Sequence, residues 1–254
     1  MYTRVGDDIL ADEELLGRES ALRHKTHAKS NAFTNHDAGR HFNEGVVRRH
    51  YMLQESRLFL CKHCSPSRKE ALSVYEATKC AIQLNAYYLN LRGILDNLAW
   101  VLQYEWQLLP DVVEDGKGNQ SCYLFGKRFL DALQSRHAKL ASVLHQYGPW
   151  KEELAALRDP AAHRVPIYVA PGVATSQEQV DKWNRIMAQV DVDPAERGNK
   201  SLTEIHLEAQ AVVDFVPVMW LSTRRGWVSR PIHAQVRSDH DKYLTIASAI
   251  VDEL

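Results

Sequence analysis

The sequence predicts a mainly α protein: an antiparallel helical bundle with one long spine helix and a small β-hairpin or extended insertion before the last helix. Three observations carry this expectation. Val74, Ala77, Ala81, Leu84, Tyr88, Leu91, Leu95, Leu98 and Leu102 step by alternating threes and fours, an apolar seam of helical period that only Gly93 interrupts. Phe129, Leu133, Leu140 and Leu144 repeat the pattern between Gly126 and Tyr147. The apolar runs 215–220 and 226–228 flank the turn Ser222–Arg225, as a β-hairpin requires.

Taken in order, the first 45 residues are polar, with a short helix expected near Asp12–His24 and an irregular arm over Asn31–Gly45. Val46, Met52, Leu53 and Leu60 place a helix over about 45–61. Ser65-Pro66-Ser67 reads as a helix start with Pro in the first turn, so the spine is expected from Ser67 to Trp106. Forty residues span roughly 60 Å at ~1.5 Å each. Such a helix must bend or meet a partner, which predicts a homodimer through the spine. Pro110–Gln120, with the turn former Asp115-Gly116, is a loop. A helix follows over 126–147, stopped by Gly148-Pro149, and a shorter one starts near Trp150 and runs to Arg158-Asp159-Pro160. Helices joined by short loops pack antiparallel. Val165–Val169 is extended, Ser176–Val190 helical, and Ser201 with Glu204 forms a capping-box pattern before Ile205. Pro217 marks an edge strand, and Ser238-Asp239 caps a closing helix. The expected organisation is one domain, residues 1–254: a polar arm to 45, a bundle core over 46–164, a mixed insertion over 165–237 and a closing helix over 238–254.

Composition bounds the function. With 45% hydrophobic and 25% charged residues among 254, the chain can bury a sizeable core. Its 31 basic and 32 acidic side chains give a formal charge of -1, which argues against coating nucleic acid by bulk charge and leaves a local basic patch open. Asp7, Asp8, Asp12, Glu13 and Glu14 stand where a signal peptide needs a basic and then an apolar region. No stretch approaches the roughly 18 apolar residues of a membrane span. A soluble cytoplasmic protein with reduced Cys61, Cys64, Cys80 and Cys122 is expected, with no membrane partner.

The segment Leu157-Arg158-Asp159-Pro160-Ala161-Ala162-His163-Arg164 concentrates the chemistry. A guanidinium donates in a planar fork to phosphate oxygens, and an imidazole titrates near neutrality. If Asp159 or Pro160 opened a fresh helical turn, its free N–H groups would favour an anion. On spacing alone the alternative stands open: a surface ion pair of Arg158 with Asp159, a helix cap, and His163 packed at the bundle edge.

This segment resembles the R-x4–6-H motif of the HEPN superfamily, named for higher eukaryotes and prokaryotes nucleotide-binding, in which a polar residue commonly follows the Arg. The run Asn90-Leu91-Arg92-Gly93-Ile94-Leu95-Asp96-Asn97-Leu98-Ala99-Trp100 is similar to the L-R-x-x-L-D-x-L-A segment of uncharacterised bacterial proteins with such a bundle. The two regions span about Ser67–Arg164. The resemblance implies a metal-independent endoribonuclease of a defence or toxin type, needing no cofactor. His163 would be general acid/base, Arg158 phosphate clamp and Asp159 an orienting residue, with RNA as substrate and an antitoxin-like protein as partner. Pro166, three residues after His163, departs from the family, whose motif helix more often continues.

Other constellations carry two readings each. Asn85, Arg92 and Asp96 share one stripe of the spine and serve either as a structural tie or as support for Arg158 and His163. Together with Arg164, the stretch Trp220–Trp227 offers Arg224, Arg225 and Trp227 to RNA, unless its tryptophans bury against the bundle. A non-catalytic binding or dimerisation module is the second hypothesis. The third is a small zinc-binding protein, on Cys61-Lys62-His63-Cys64 with His24 and His27, although only one C-x2-C is present and no metal ligand set is assigned.

Overall fold

A computed structural model describes residues 5–114, 122–163, 165–193, 195–196, 198–223 and 226–254, with the backbone alone described at 5–12, 160, 161 and 163. Helices α1 (Val5–Lys29), α2 (His36–Arg40), α3 (Arg48–His63), α4 (Val74–Trp106), α5 (Lys127–Arg136), α6 (Ala138–Gln146), α7 (Gly148–His163), α8 (Gln177–Met187), α9 (Leu202–Gln210) and α10 (Ile232–Glu253) dominate. Strands β1 (Tyr168–Val169), β2 (Val218–Thr223) and β3 (Gly226–Pro231) form one antiparallel sheet, with β2 in the middle.

The spine is α4, 33 residues and roughly 50 Å long. It starts later than the Ser65-Pro66-Ser67 signal suggested. Ser73 closes a capping box with Glu76, whose carboxylate accepts from Ser73 N at 2.8 Å while Ser73 Oγ accepts from Glu76 N at 3.2 Å. The residues before it have another task. Leu72 N donates to Pro171 O, and Lys69 O accepts from Phe215 N, so this segment is extended and laid against the insertion. At the far end Gln107 takes a left-handed conformation (φ 48°), and the buried Gln103 amide accepts from Leu109 N and donates to its carbonyl. Leu84, Leu91, Leu95, Leu98 and Leu102 are fully buried, as are Tyr87, Tyr88, Ile94 and Val101 beside them. Apolar faces on several sides explain the central position: α3, α7 and the segment before α3 each cover part of it.

The first 45 residues depart most from expectation. α1 extends over Val5–Lys29 and packs along α10. The expected irregular arm folds as α2, capped by Asn35 Oδ1, and then as one π-helical turn, His41–Val47, leading into α3. Glu19 on α1 meets Arg57 of α3 through two bonds, Nε at 3.0 Å and NH2 at 2.8 Å, with His240 Nε2 of α10 2.7 Å away. All three are buried.

The predicted helix over 126–147 divides at His137 (φ −134°, ψ 61°), whose ring stacks 3.7 Å from Trp106. Gly148-Pro149 opens α7 in place of merely stopping α6, and Pro is favoured in a first turn. Trp150, Leu154 and Leu157 bury the α7 face that packs on α4. The insertion holds β1, α8, a 3-10 turn Ala188–Asp191, α9 with its Ser201–Glu204 capping box, and the hairpin. Pro217 precedes the central strand and is not on an edge; lacking an N–H, it uses its carbonyl to accept from Ile232 N at 2.8 Å. The closing helix begins six residues before the expected cap. Asp239 is buried within it, accepting from Trp150 Nε1 (2.8 Å), Tyr88 OH and Gln235 Nε2 (both 3.1 Å), so it joins helices and caps nothing.

Candidate functional site

Of the residues expected to form a site, Asn85, Arg92 and Asp96 lie on α4, and Arg158 and Asp159 on α7, which packs against it. Arg92 and Asp96, one turn apart on α4, form a two-point pair, Nε–Oδ2 3.2 Å and NH2–Oδ1 3.1 Å. The Arg92 guanidinium also lies over the Tyr123 ring, its Cζ 3.7 Å from the centroid. Burial pushes the Asp96 carboxyl up, against the pull of Arg92, Arg158 and Arg49. Three guanidinium groups from three helices therefore act on one carboxylate. Arg158 NH1 donates to the neighbouring Asp159 at 3.2 Å, and both side chains are partly exposed.

The motif segment itself does not open a fresh helix. α7 continues from Gly148 through Pro160 to His163. Arg158 is thus well inside the helix, and the free N–H groups invoked for anion binding are not beside it. Pro160 costs that helix one bond, since the Ala156 carbonyl lacks an i+4 donor. Arg158 and His163, five positions apart, have Cα directions about 140° apart around the axis. The side chain of His163, and Arg164, Arg224 and Arg225 entirely, lie outside the described residues.

Asn85 is a tie. Its Nδ2 donates to Ile167 O at 2.9 Å, and its Oδ1 accepts from Ile167 N at 3.1 Å, as a backbone strand would. This fixes the chain leaving α7 against α4 one turn after the motif. Trp227 is 56% exposed and does not bury against the bundle; it borders an apolar groove of 730 Å³ with Ile82, Leu89 and Tyr168. The C-x2-C element is not a preformed knuckle: Cys64 and Cys80 are both buried, and the Cys80 thiol together with burial pushes the Cys64 thiol up. Among the described residues no group of three or more His, Cys, Asp or Glu side chains is placed to hold a metal ion.

A polar cleft of 460 Å³ escaped the sequence reading altogether. It opens where the π-helical turn and α3 pass over α4, and Arg40, Arg48, Arg49, Asn90, Asn97 and Glu114 line it. Arg49 Nε donates to Asn97 Oδ1 (3.1 Å) and NH1 to Asn90 Oδ1 (3.0 Å). His41, stacked near Trp100 and Tyr104, places Nδ1 3.2 Å from the Asn97 amide nitrogen and Nε2 3.0 Å from Glu114. Two glycines allow this closeness. A Cβ on Gly93 would sit 2.6 Å from Arg49 Cζ, and one on Gly45 would overlap the Asn97 amide. Only Gly93, alone in the apolar seam between Asn90 and Asn97, hinted at it. No protein-family model, curated protein or solved structure matches the chain.

Proposed function

We propose that this protein acts on a phosphodiester as a HEPN-like, metal-independent endoribonuclease, with Arg158 as phosphate clamp and His163 as general acid/base. One observation carries the reading: the charge of Arg158 on α7 reaches the Asp96 carboxylate of α4, which is already paired with Arg92, so the motif arginine stands near a second arginine whose own acid is engaged. A guanidinium not fully neutralised beside the motif suits a phosphate. Without a metal, the nucleophile is the RNA's own 2′-hydroxyl. His163 takes its proton, the 2′ oxygen bonds to phosphorus, and the 5′ oxygen leaves with a proton returned by the imidazole. Arg158 holds the non-bridging oxygens on which charge develops. Asp159 orients Arg158, Arg92 and Asp96 support it from α4, and Asn85 holds the chain beyond His163. The reading requires His163, the last helical residue, to turn toward the Arg158 face, or two copies to share a site. RNA is the partner in this reading, with Trp227 a stacking platform and an antitoxin-like protein the natural restraint.

The test is cleavage of single-stranded RNA in the presence of a chelator. His163→Ala and Arg158→Ala are each expected to lose about 10²-fold or more in rate while remaining folded. RNA carrying 2′-deoxy positions is expected to resist. Unchanged cleavage by His163→Ala would sink the catalytic role, and wild-type protein inert on every RNA would leave the second reading. That reading, a dimerising module, is favoured by the apolar groove along α4, with Val74, Ile82 and Tyr168 at least half exposed on it.

A further inference from the structure

The cleft over α4 presents a cation in an unusual setting. Arg49 is half-buried, yet among the described residues it has no acid within ion-pair distance; its hydrogen-bond partners there are the neutral oxygens of Asn90 and Asn97. Those two bonds fix the guanidinium plane, and NH2 makes no hydrogen bond among the described residues. The amides are themselves held: Asn90 Nδ2 donates to Ala86 O at 2.9 Å, and the Asn97 nitrogen faces His41. Both can therefore only offer oxygen to Arg49. A charge kept partly out of water and given only neutral partners is costly unless an anion completes it.

The acids of the cleft are used elsewhere or are distant. Glu114 accepts from Arg40 (3.2 Å), lies against His41 (3.0 Å) and accepts from Tyr104 OH (3.2 Å). Glu44 is 3.8 Å from Arg48, a loose contact between two exposed side chains. Asp96 feels the charge of Arg49 but pairs with Arg92. Arg40 also has Asp37 at 3.6 Å, just outside the lining, so of the three lining arginines Arg49 is the one with no carboxylate within ion-pair distance among the described residues. The π-helical turn inserts where Arg40 ends one helix and Arg48 and Arg49 begin the next, which brings the three guanidinium groups round one space.

We propose that this cleft binds a phosphoryl group, carried either by inorganic phosphate or by a phosphomonoester, with Arg49 as the fixed anchor and Arg48 and Arg40 closing on it. A tetrahedral oxyanion takes donors from several directions, as three separate guanidiniums provide, whereas a planar carboxylate is satisfied by one fork. Half-exposed Met52 borders the same space and gives the organic part of a monoester an apolar wall. The proposal does not rest on the endoribonuclease reading, and Arg158 is not among the cleft residues.

Calorimetric titration of the purified chain with inorganic phosphate, and separately with adenosine monophosphate, at constant ionic strength in chloride, tests it. Saturable one-site binding is expected, weakened about tenfold or more by Arg49→Ala and by Arg48→Glu. Arg158→Ala is expected to bind as wild type, which separates this site from the nuclease reading. Tighter binding of the monophosphate assigns the site to a monoester; equal or tighter binding of phosphate assigns it to the free anion. Should Arg49→Ala fail to fold, Arg48→Glu on the exposed rim decides alone. No saturable binding of either probe, or binding that Arg48→Glu leaves unchanged, overturns the proposal.

Discussion

The Glu19 carboxylate meets Arg57 and His240 in the interior, where water contributes nothing to its solvation. Burial alone would raise its pKa; the His240 ring 2.7 Å away, the two hydrogen bonds from Arg57 and the charges of both overcome this and hold it at about 2. His50 nearby is driven the other way, to about 4, first by burial and then by the charge of His240. Its Nδ1 meets Tyr243 OH at 2.8 Å and its Nε2 has no partner. Both folded pKa values lie below the unfolded ones, so both groups bind fewer protons in the folded state. The stability from His50 is present above pH 6.5 and is lost as pH falls toward 4. That from Glu19 is lost between pH 4.5 and 2. Each amounts to about 3 kcal/mol by linkage. Urea midpoints are therefore expected to fall markedly between pH 7 and pH 5, and His50→Leu to flatten that fall; a pH-independent midpoint would refute the assignment. Glu19→Ala, which removes the carboxylate that Arg57 meets through two bonds in the interior, is expected to cost about 3–5 kcal/mol at pH 7 by the same denaturation.

At the scale of elements, short polar contacts decide where segments lie. β1 and the chain leading into it are short, yet Asn85 gives Ile167 both bonds of a strand partner. Removing that amide in Asn85→Ala leaves the buried Ile167 N–H and C=O unpaired, an expected loss of about 1–3 kcal/mol. Hydrogen exchange should show it as faster exchange at Ile167 and Val169 with α3 unaffected; protection unchanged there would mean the tie is not what holds the segment. The capping boxes at Ser73 and Ser201 show the same principle at helix starts. The second is legible in the sequence as Ser and Glu three apart. The first was obscured by Pro66, a signal just as local that tertiary pairing of residues 69–72 with the insertion overrode.

For the whole molecule, α4 shows why a spine helix need not project. Its apolar seam and flanks are covered within the chain over most of their length, and only its first half leaves Val74, Tyr75 and Ile82 exposed. Val74 and Ile82 border a groove that continues over Val165, Tyr168 and Trp227. A second copy laid there would give the homodimer expected from the spine, at the first half of α4 and not along all of it. Analytical ultracentrifugation is expected to find a dimer that Ile82→Glu converts to monomer with its circular dichroism preserved. A monomer at every concentration would refute self-association. No described helix is long and apolar enough to cross a membrane.

The sequence by itself determined the helical class, the spine, the hairpin ahead of the last helix and one capping box, because period, caps and turn chemistry are local physics. It also placed Arg92 and Asp96 on one stripe, since four residues make one helical turn. Tertiary structure alone decided that α1 is long and docked through Glu19, that α7 runs on through Pro160, and that Asp239 is buried. Burial against distant elements outweighs each of those local preferences. The same holds for the cleft: Arg49, Asn97, His41 and Glu114 come from separate segments of the chain and meet only because Gly45 and Gly93 let α4 and the π-helical turn approach. No spacing along the chain records such a meeting.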